Sequence, residues 1–232
     1  LAEKYPNNLL WLIPAEGDEV MKLHKPILYF VANIAANPVD HSVALLCEAA
    51  KGGISYIQLR DKSSDTTALI ACFQAARHAL AGFSIPLLLN DHVELAVKLG
   101  ADGVHLGQED MHPDTARALL GPDKIIGLSI EFMPELALAN PLRSIDYIAA
   151  SAVFPTMSKH DCKNFWGLDG LHQLVKESVH PVIAIGGIDQ KNIGQVMATG
   201  VHGAAVVSAI SDAEDACKAT QLLKQEMRCT QN

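Results

Sequence analysis

The sequence predicts a single α/β domain of the (β/α)8 type, a TIM barrel, over residues 26–232, with a short N-terminal extension or linker over residues 1–25. Three observations carry this reading. Eight short apolar runs alternate with longer helical patterns between residues 27 and 226. Most of the runs lack in/out polar alternation, as expected of parallel strands covered on both faces. No GxGxxG or GxxxxGK[ST] loop follows the first run, which weakens the alternative of a doubly wound open sheet.

The elements follow in order. The first run, 27–32 (ILYFVA), precedes a helix over 42–50. The second, 55–59 (SYIQL), leads into the clearest helix, 64–80, where Leu69, Ile70, Phe73, Ala76 and Leu80 repeat at helical spacing behind the candidate N-caps Ser64 and Asp65. Runs 86–89, 103–106, 124–128 and 145–149 are followed by helices over 93–99, 113–120, 134–139 and 168–177. Runs 181–185 and 204–207 are followed by helices over 192–198 and 212–226. Gly100, Gly121 and Gly200 each sit just past a helix, where a left-handed cap favours glycine. Residues 1–25, with Pro6, Pro14 and Gly17, fall outside the pattern. With Leu rather than Met at position 1, they fit a processed chain or a fragment of a longer one, and Met21 is a candidate internal start.

Composition excludes several classes. Of 232 residues, 49% are hydrophobic and 19% charged, which rules out a disordered chain. Eighteen basic against 26 acidic residues give a net charge of −8, a poor match to a nucleic-acid binder. No apolar run reaches the length of a membrane span. The five cysteines are odd in number, widely spaced and form no CxxC pair, so they read as reduced thiols of a cytoplasmic protein, with Cys47, Cys72 and Cys217 as small core residues.

In a (β/α)8 barrel, chemistry gathers at the C-terminal ends of the strands. There the sequence places Gln58, Arg60, Asp61 and Lys62; Asn90 and Asp91; Gly107 to Asp110; Ser129; Pro155 to Lys159; Gly186 and Gly187; and Ser208. Arg60, Lys62 and Lys159 bring three cations to one mouth of an acidic protein. That suggests an anionic ligand with more than one charge, because Arg offers a planar fork and Lys a point charge. Asp91 and Asp110 follow neighbouring strands. They read either as caps of the next helices or as ligands of Mg²⁺, which commonly takes one or two carboxylates plus substrate phosphate oxygens. Gly186, Gly187 and Ser208 follow strands seven and eight, where barrels often hold a phosphate. Two anionic subsites are therefore expected, one with metal near strands two to four and one without near strands seven and eight. His105 reads as a core histidine within reach of the site, and the segment 159–166 as either a lid or an exposed loop.

The stretches YIQLRDK (56–62), LLLNDHVELAVKLGADGVHLGQED (87–110), IIGLS (125–129), DYIAASAVFPTMSK (146–159), VIAIGGI (182–188) and GVHGAAVVSAI (200–210) together resemble the thiamine phosphate synthases. The resemblance implies a Mg²⁺-dependent transferase joining an aminopyrimidine methyl diphosphate to a thiazole phosphate with release of diphosphate. By position it implies pyrimidine diphosphate contacts from Gln58, Arg60, Lys62, Asn90, Ser129 and Lys159. It implies Mg²⁺ on Asp91 and Asp110, and thiazole phosphate contacts from Thr156, Ser158, Gly187, Val207 and Ser208. Arg60, Lys62, Ser129 and Lys159 would stabilise the leaving group. The chain departs from the usual pattern at Ile130-Glu131, at Ala149, Ser151 and Ala152, and at Ser158. Glu131, beside a diphosphate, is expected to point away. The related thiazole tautomerases rely on a histidine where this chain has Glu131. A silent barrel binding a phosphorylated metabolite is the rival from another class, and the intact cation–carboxylate set argues against it. The partners expected are small molecules.

Overall fold

The computed structural model describes residues 27–229 except 36, 64 and 159–162. The expected extension and Lys159 lie outside the described residues. Eight parallel strands close a barrel in chain order, β1 Ile27–Asn33, β2 Tyr56–Arg60, β3 Leu87–Asn90, β4 Gly103–Leu106, β5 Ile125–Ile130, β6 Tyr147–Ser151, β7 Val182–Ile185 and β8 Gly203–Val206, with β8 pairing back onto β1. The helices on the outside are α1 Val39–Gly52, α2 Thr67–Ala79, α3 Val93–Leu99, α4 Pro113–Leu120, α5 Met133–Ala139, α6 Gly167–Glu177, α7 Ile193–Ala198, α8 Ser208–Ser211 and α9 Ala216–Cys229.

Strand side chains alternate between two cores, as a period of two requires. In β1, Leu28, Phe30 and Ala32 join the apolar layer between sheet and helices, while Ile27, Tyr29 and Val31 join a smaller cluster inside the barrel with Tyr56, Leu88, Ile125, Tyr147 and Ile183. Both faces of most strands are thus apolar towards the bottom of the barrel, which explains the unbroken hydrophobic runs.

The inward positions change character towards the top. Two residues beyond Tyr56 is Gln58, and two further is Arg60; two beyond Leu88 is Asn90; two beyond Gly127 is Ser129. The same parity that fills the barrel with Tyr and Leu delivers polar side chains to its mouth.

At the opposite, N-terminal end, two arginines tie the loops. Arg117 pairs with Asp146 at 2.7 Å and donates to the carbonyls of Gly121, Pro122, Lys124 and Ser144. Arg77 pairs with Asp102 at 2.8 Å, whose carboxylate also accepts the Leu87 N–H. Cys72 is buried, and desolvation pushes its thiol up to about 11, so it is an unreactive core residue as expected; Cys47 and Cys217 are half-buried.

Candidate active site

A cavity of about 270 Å³ opens at the C-terminal mouth of the barrel. Its lining includes every sequence-predicted site residue that the structure describes: Gln58, Arg60, Lys62, Asn90, Asp91, Asp110, Ser129, Thr156, Ser158, Gly187, Val207 and Ser208. Glu131, expected to point away, lines it as well, together with Glu135. The Glu135 carboxylate accepts the backbone N–H groups of Glu131 and Phe132 at 2.6 and 3.1 Å, which fixes the turn after β5.

The carboxylates turn towards the cavity rather than capping helices. Helix α3 begins after His92 with no side-chain cap, and α4 is capped by His112, whose Nδ1 accepts the Asp114 N–H. Asp91 instead accepts from Lys62 Nζ at 3.0 Å, and Asp110 accepts from the Gly107 N–H at 2.7 Å. Burial, and then the neighbouring Asp91 carboxylate, hold the Asp110 carboxyl above its ordinary range, while Lys62 pulls the other way. Two acids this close are favourable together only when a cation offsets them. Asp91 also carries a backbone φ of 64°, a left-handed conformation that non-glycine residues seldom adopt. Bonds from the Asp91 N–H to the His105 carbonyl (2.9 Å) and from the Val93 N–H to the Asp91 carbonyl (3.0 Å) hold it there. Local strain at this carboxylate marks a position fixed by its surroundings.

Beside the acids stand groups without partners among the described residues. Arg60 is half-buried in the cavity wall and makes no ion pair among the described residues. Asn90 is 6% exposed, and its Nδ2 has no hydrogen-bond partner among the described residues. A buried amide N–H costs free energy unless something accepts it, so both groups suit an anionic ligand.

Across the mouth, the turn after β7 runs through Gly186 (φ 104°) and Gly187 (φ 65°). A β-carbon on Gly187 would lie 2.7 Å from the Pro155 carbonyl oxygen, so glycine is required both by conformation and by the close approach of the loop after β6. Asn192 Nδ2 donates to the Gly187 carbonyl at 2.8 Å, and Thr156 Oγ1 accepts the Ser158 N–H at 3.2 Å. Ser208 opens the short α8, which the sequence reading missed; four residues are too few to show a helical period.

The floor of the cavity carries polar side chains of its own. His105 is buried and satisfied, as expected of a core histidine, yet it also lines the cavity and contacts Ser129. Tyr29 and Tyr147 complete the floor. Their contacts span 118 residues of sequence, so no local motif exposes them. Glu109 sits on the rim against Lys163 at 3.7 Å.

The family model described as thiamine monophosphate synthase matches residues 28–210. The chain belongs to this family. The thiamine-phosphate synthase of Vibrio campbellii is 47% identical over 181 residues, covering 78% of this chain and 88% of its own length. That of Streptococcus suis is 40% identical over 205 residues, covering 87% and 89%. Among solved structures, the thiamine phosphate pyrophosphorylase of Pyrococcus furiosus superposes with a TM-score of 0.79 at 34% identity, over 89% of this chain and 97% of that one. A 3-hexulose-6-phosphate synthase gives 0.64 at 16% identity over 86% and 99%, a likeness of fold alone. Synthase relatives across most of the chain favour the synthase over the tautomerase side of the resemblance, in keeping with Glu131 at the position where a tautomerase has histidine.

Proposed function

We propose that this transferase joins 4-amino-2-methyl-5-(diphosphooxymethyl)pyrimidine to a thiazole phosphate, releasing diphosphate and forming thiamine phosphate. The observation that carries the reading is the cavity wall itself: Arg60 and the Asn90 Nδ2, both without a partner among the described residues, stand beside a carboxylate pair, across the mouth from the Gly186-Gly187 turn. The bond that breaks joins the pyrimidine methylene carbon to the diphosphate oxygen. The bond that forms joins the same carbon to the thiazole nitrogen, whose lone pair becomes the new bond. No protein nucleophile or strong base is needed.

The chain's residues bind, orient and shield. Arg60 and Lys62 take the charge that develops on the departing diphosphate, with Lys159 assigned to the same task from the sequence pattern. Asn90 donates to a phosphate oxygen. Gln58 spends one amide proton on Tyr29 at 2.9 Å, which leaves its other N–H and its Oε1 as the donor–acceptor pair that reads an aminopyrimidine edge. Thr156, Ser158, Gly187, Val207 and Ser208 take the thiazole phosphate. Ile183, Ile185 and Val207 line the cavity with apolar surface that keeps water from the electron-deficient methylene. Holding both substrates in one pocket supplies proximity.

Asp91 and Asp110 suit Mg²⁺: hard oxygen donors, adjacent, with Asp110 destabilised as an anion by burial and by its neighbour. Bound there, the ion would neutralise charge on the diphosphate. Among the described residues no helix is long and apolar enough to cross a membrane, and we assign the enzyme to the cytoplasm, as a single barrel domain over residues 26–232 after a short extension over 1–25. Incubation with both substrates and Mg²⁺ tests the reading. Thiamine phosphate should accumulate one for one with diphosphate. Retained binding of thiazole phosphate with no coupled product would refute it.

A further inference from the structure

Beneath the cavity, side chains from five strands form one continuous hydrogen-bonded line. Gln58 Nε2 (β2) lies 2.9 Å from the Tyr29 hydroxyl (β1), which lies 3.2 Å from the Tyr147 hydroxyl (β6). The Tyr147 hydroxyl lies 2.9 Å from His105 Nδ1 (β4), and His105 Nε2 lies 2.9 Å from Ser129 Oγ (β5). The tyrosine and histidine rings hold one another: His105 stacks on Tyr147 at 5.6 Å between centroids, and Tyr147 meets Tyr29 edge-on at 6.1 Å. Gly127 makes room for this arrangement, because a β-carbon there would overlap both the Tyr147 ring and His105 Nδ1.

Counting protons gives the line a direction. The Gln58 amide nitrogen can only donate, so the Tyr29 oxygen accepts from it. The Tyr29 proton is buried and needs its own acceptor; among the described residues the Tyr147 oxygen is the one within reach. The Tyr147 proton then goes to His105 Nδ1, which must offer a bare lone pair. The neutral imidazole therefore carries its proton on Nε2 and donates it to Ser129 Oγ, leaving the Ser129 proton for a partner in the cavity. The opposite polarity would strand the Tyr29 proton in the barrel interior. Burial keeps both phenols protonated, Tyr29 pushed up to about 12 and Tyr147 well above its ordinary value.

We propose that Tyr29 and Tyr147 are positioning residues that fix His105 as its Nε2–H tautomer and so make the Ser129 hydroxyl a committed donor towards the departing diphosphate. The last link rests on the synthase reading; the tautomer does not.

Two measurements test the proposal. In the first, the protein is labelled with ¹⁵N-histidine, and the His105 signals are assigned by their loss in His105→Gln. Long-range ¹⁵N–¹H correlation at neutral pH should show Nε2 protonated and Nδ1 bare. A proton on Nδ1 overturns the proposal, whatever the activity. The second is kinetic. Tyr147→Phe should lower kcat about tenfold, as for a weakened transition-state donor, with KM for the pyrimidine diphosphate within about twofold. In the His105→Gln background, where an amide N–H stands near the place of Nε2 and has no tautomer to choose, Tyr147→Phe should have no further effect. Equal effects of Tyr147→Phe in both backgrounds, or an unchanged kcat, overturn the proposal. If Tyr147→Phe does not fold by circular dichroism, the labelled wild-type protein still decides the tautomer. A wild-type protein that makes no thiamine phosphate refutes the synthase reading while leaving the tautomer test intact.

Discussion

Replacing Asn90 with alanine should make the free protein more stable and its ligand binding weaker. Asn90 ends β3 with its side chain buried, and its Nδ2 has no hydrogen-bond partner among the described residues. An unpaired buried N–H costs about 1–3 kcal/mol. Alanine removes that cost, and the vacated volume opens onto the cavity rather than leaving a dry void, so the usual penalty for large-to-small substitution is small. For a domain of this length each 1 kcal/mol moves Tm by about 2–4 °C, so the variant should melt a few degrees higher without ligand. The same N–H bonded to a phosphate oxygen is worth about 1.5–3 kcal/mol, which makes the affinity for magnesium diphosphate about 10- to 150-fold weaker in the variant. Thermal melts and titration calorimetry read both effects. At a ligand concentration of 100 wild-type Kd the wild-type protein gains about 2.7 kcal/mol and the variant about 0.3–1.4 kcal/mol, so ligand should take about 1.3–2.4 kcal/mol off the variant's lead. A Tm several degrees lower with unchanged affinity would make Asn90 a structural residue and refute the reasoning.

Three further predictions follow from the same site. Asp110→Asn should lose most turnover in a Mg²⁺ titration while the fold survives. Because burial and Asp91 raise the Asp110 carboxyl above 3.8, the stability it carries is present below that pH and lost as pH rises through the raised value. The Asn variant should therefore melt at or above wild type at neutral pH, with the gap closing towards pH 4, and a lower Tm at pH 7 would contradict this. Gly187→Ala should cost about 1–3 kcal/mol in a denaturant melt, because φ is 65° there and the added methyl meets the Pro155 carbonyl. Binding of thiazole phosphate should weaken with it, and unchanged calorimetry would remove that turn from the phosphate subsite. Arg60→Lys keeps the charge but loses the planar fork, so the affinity for diphosphate should fall about tenfold; equal affinity would mean that Arg60 acts through charge alone.

The barrel was legible in the sequence because parallel strands buried on both faces leave unbroken apolar runs, and β4 matches its run, 103–106, residue for residue. The boundaries slipped where loop residues are apolar or strand residues are polar. The run 145–149 became Tyr147–Ser151: Asp146 belongs to the entering loop, where it accepts the Ile126 N–H and pairs with Arg117, and Ser151 extends the strand opposite Ile185. The final helix begins at Ala216 rather than 212, with the Asp215 carboxylate accepting the Lys218 N–H at its start. The rim of the cavity was legible because inward parity places Gln58, Arg60, Asn90 and Ser129 at strand ends. The floor was not, because Tyr29 and Tyr147 look like any aromatic core residue until closure of the barrel brings β1 and β6 face to face.

The most direct test of the account is a crystal structure with magnesium diphosphate bound. Diphosphate should lie in the C-terminal mouth against Arg60, Lys62, Asn90 and Ser129, with the metal ion on Asp91 and Asp110. Diphosphate lodged at the N-terminal end, or in the mouth but with neither aspartate near the metal, would contradict it.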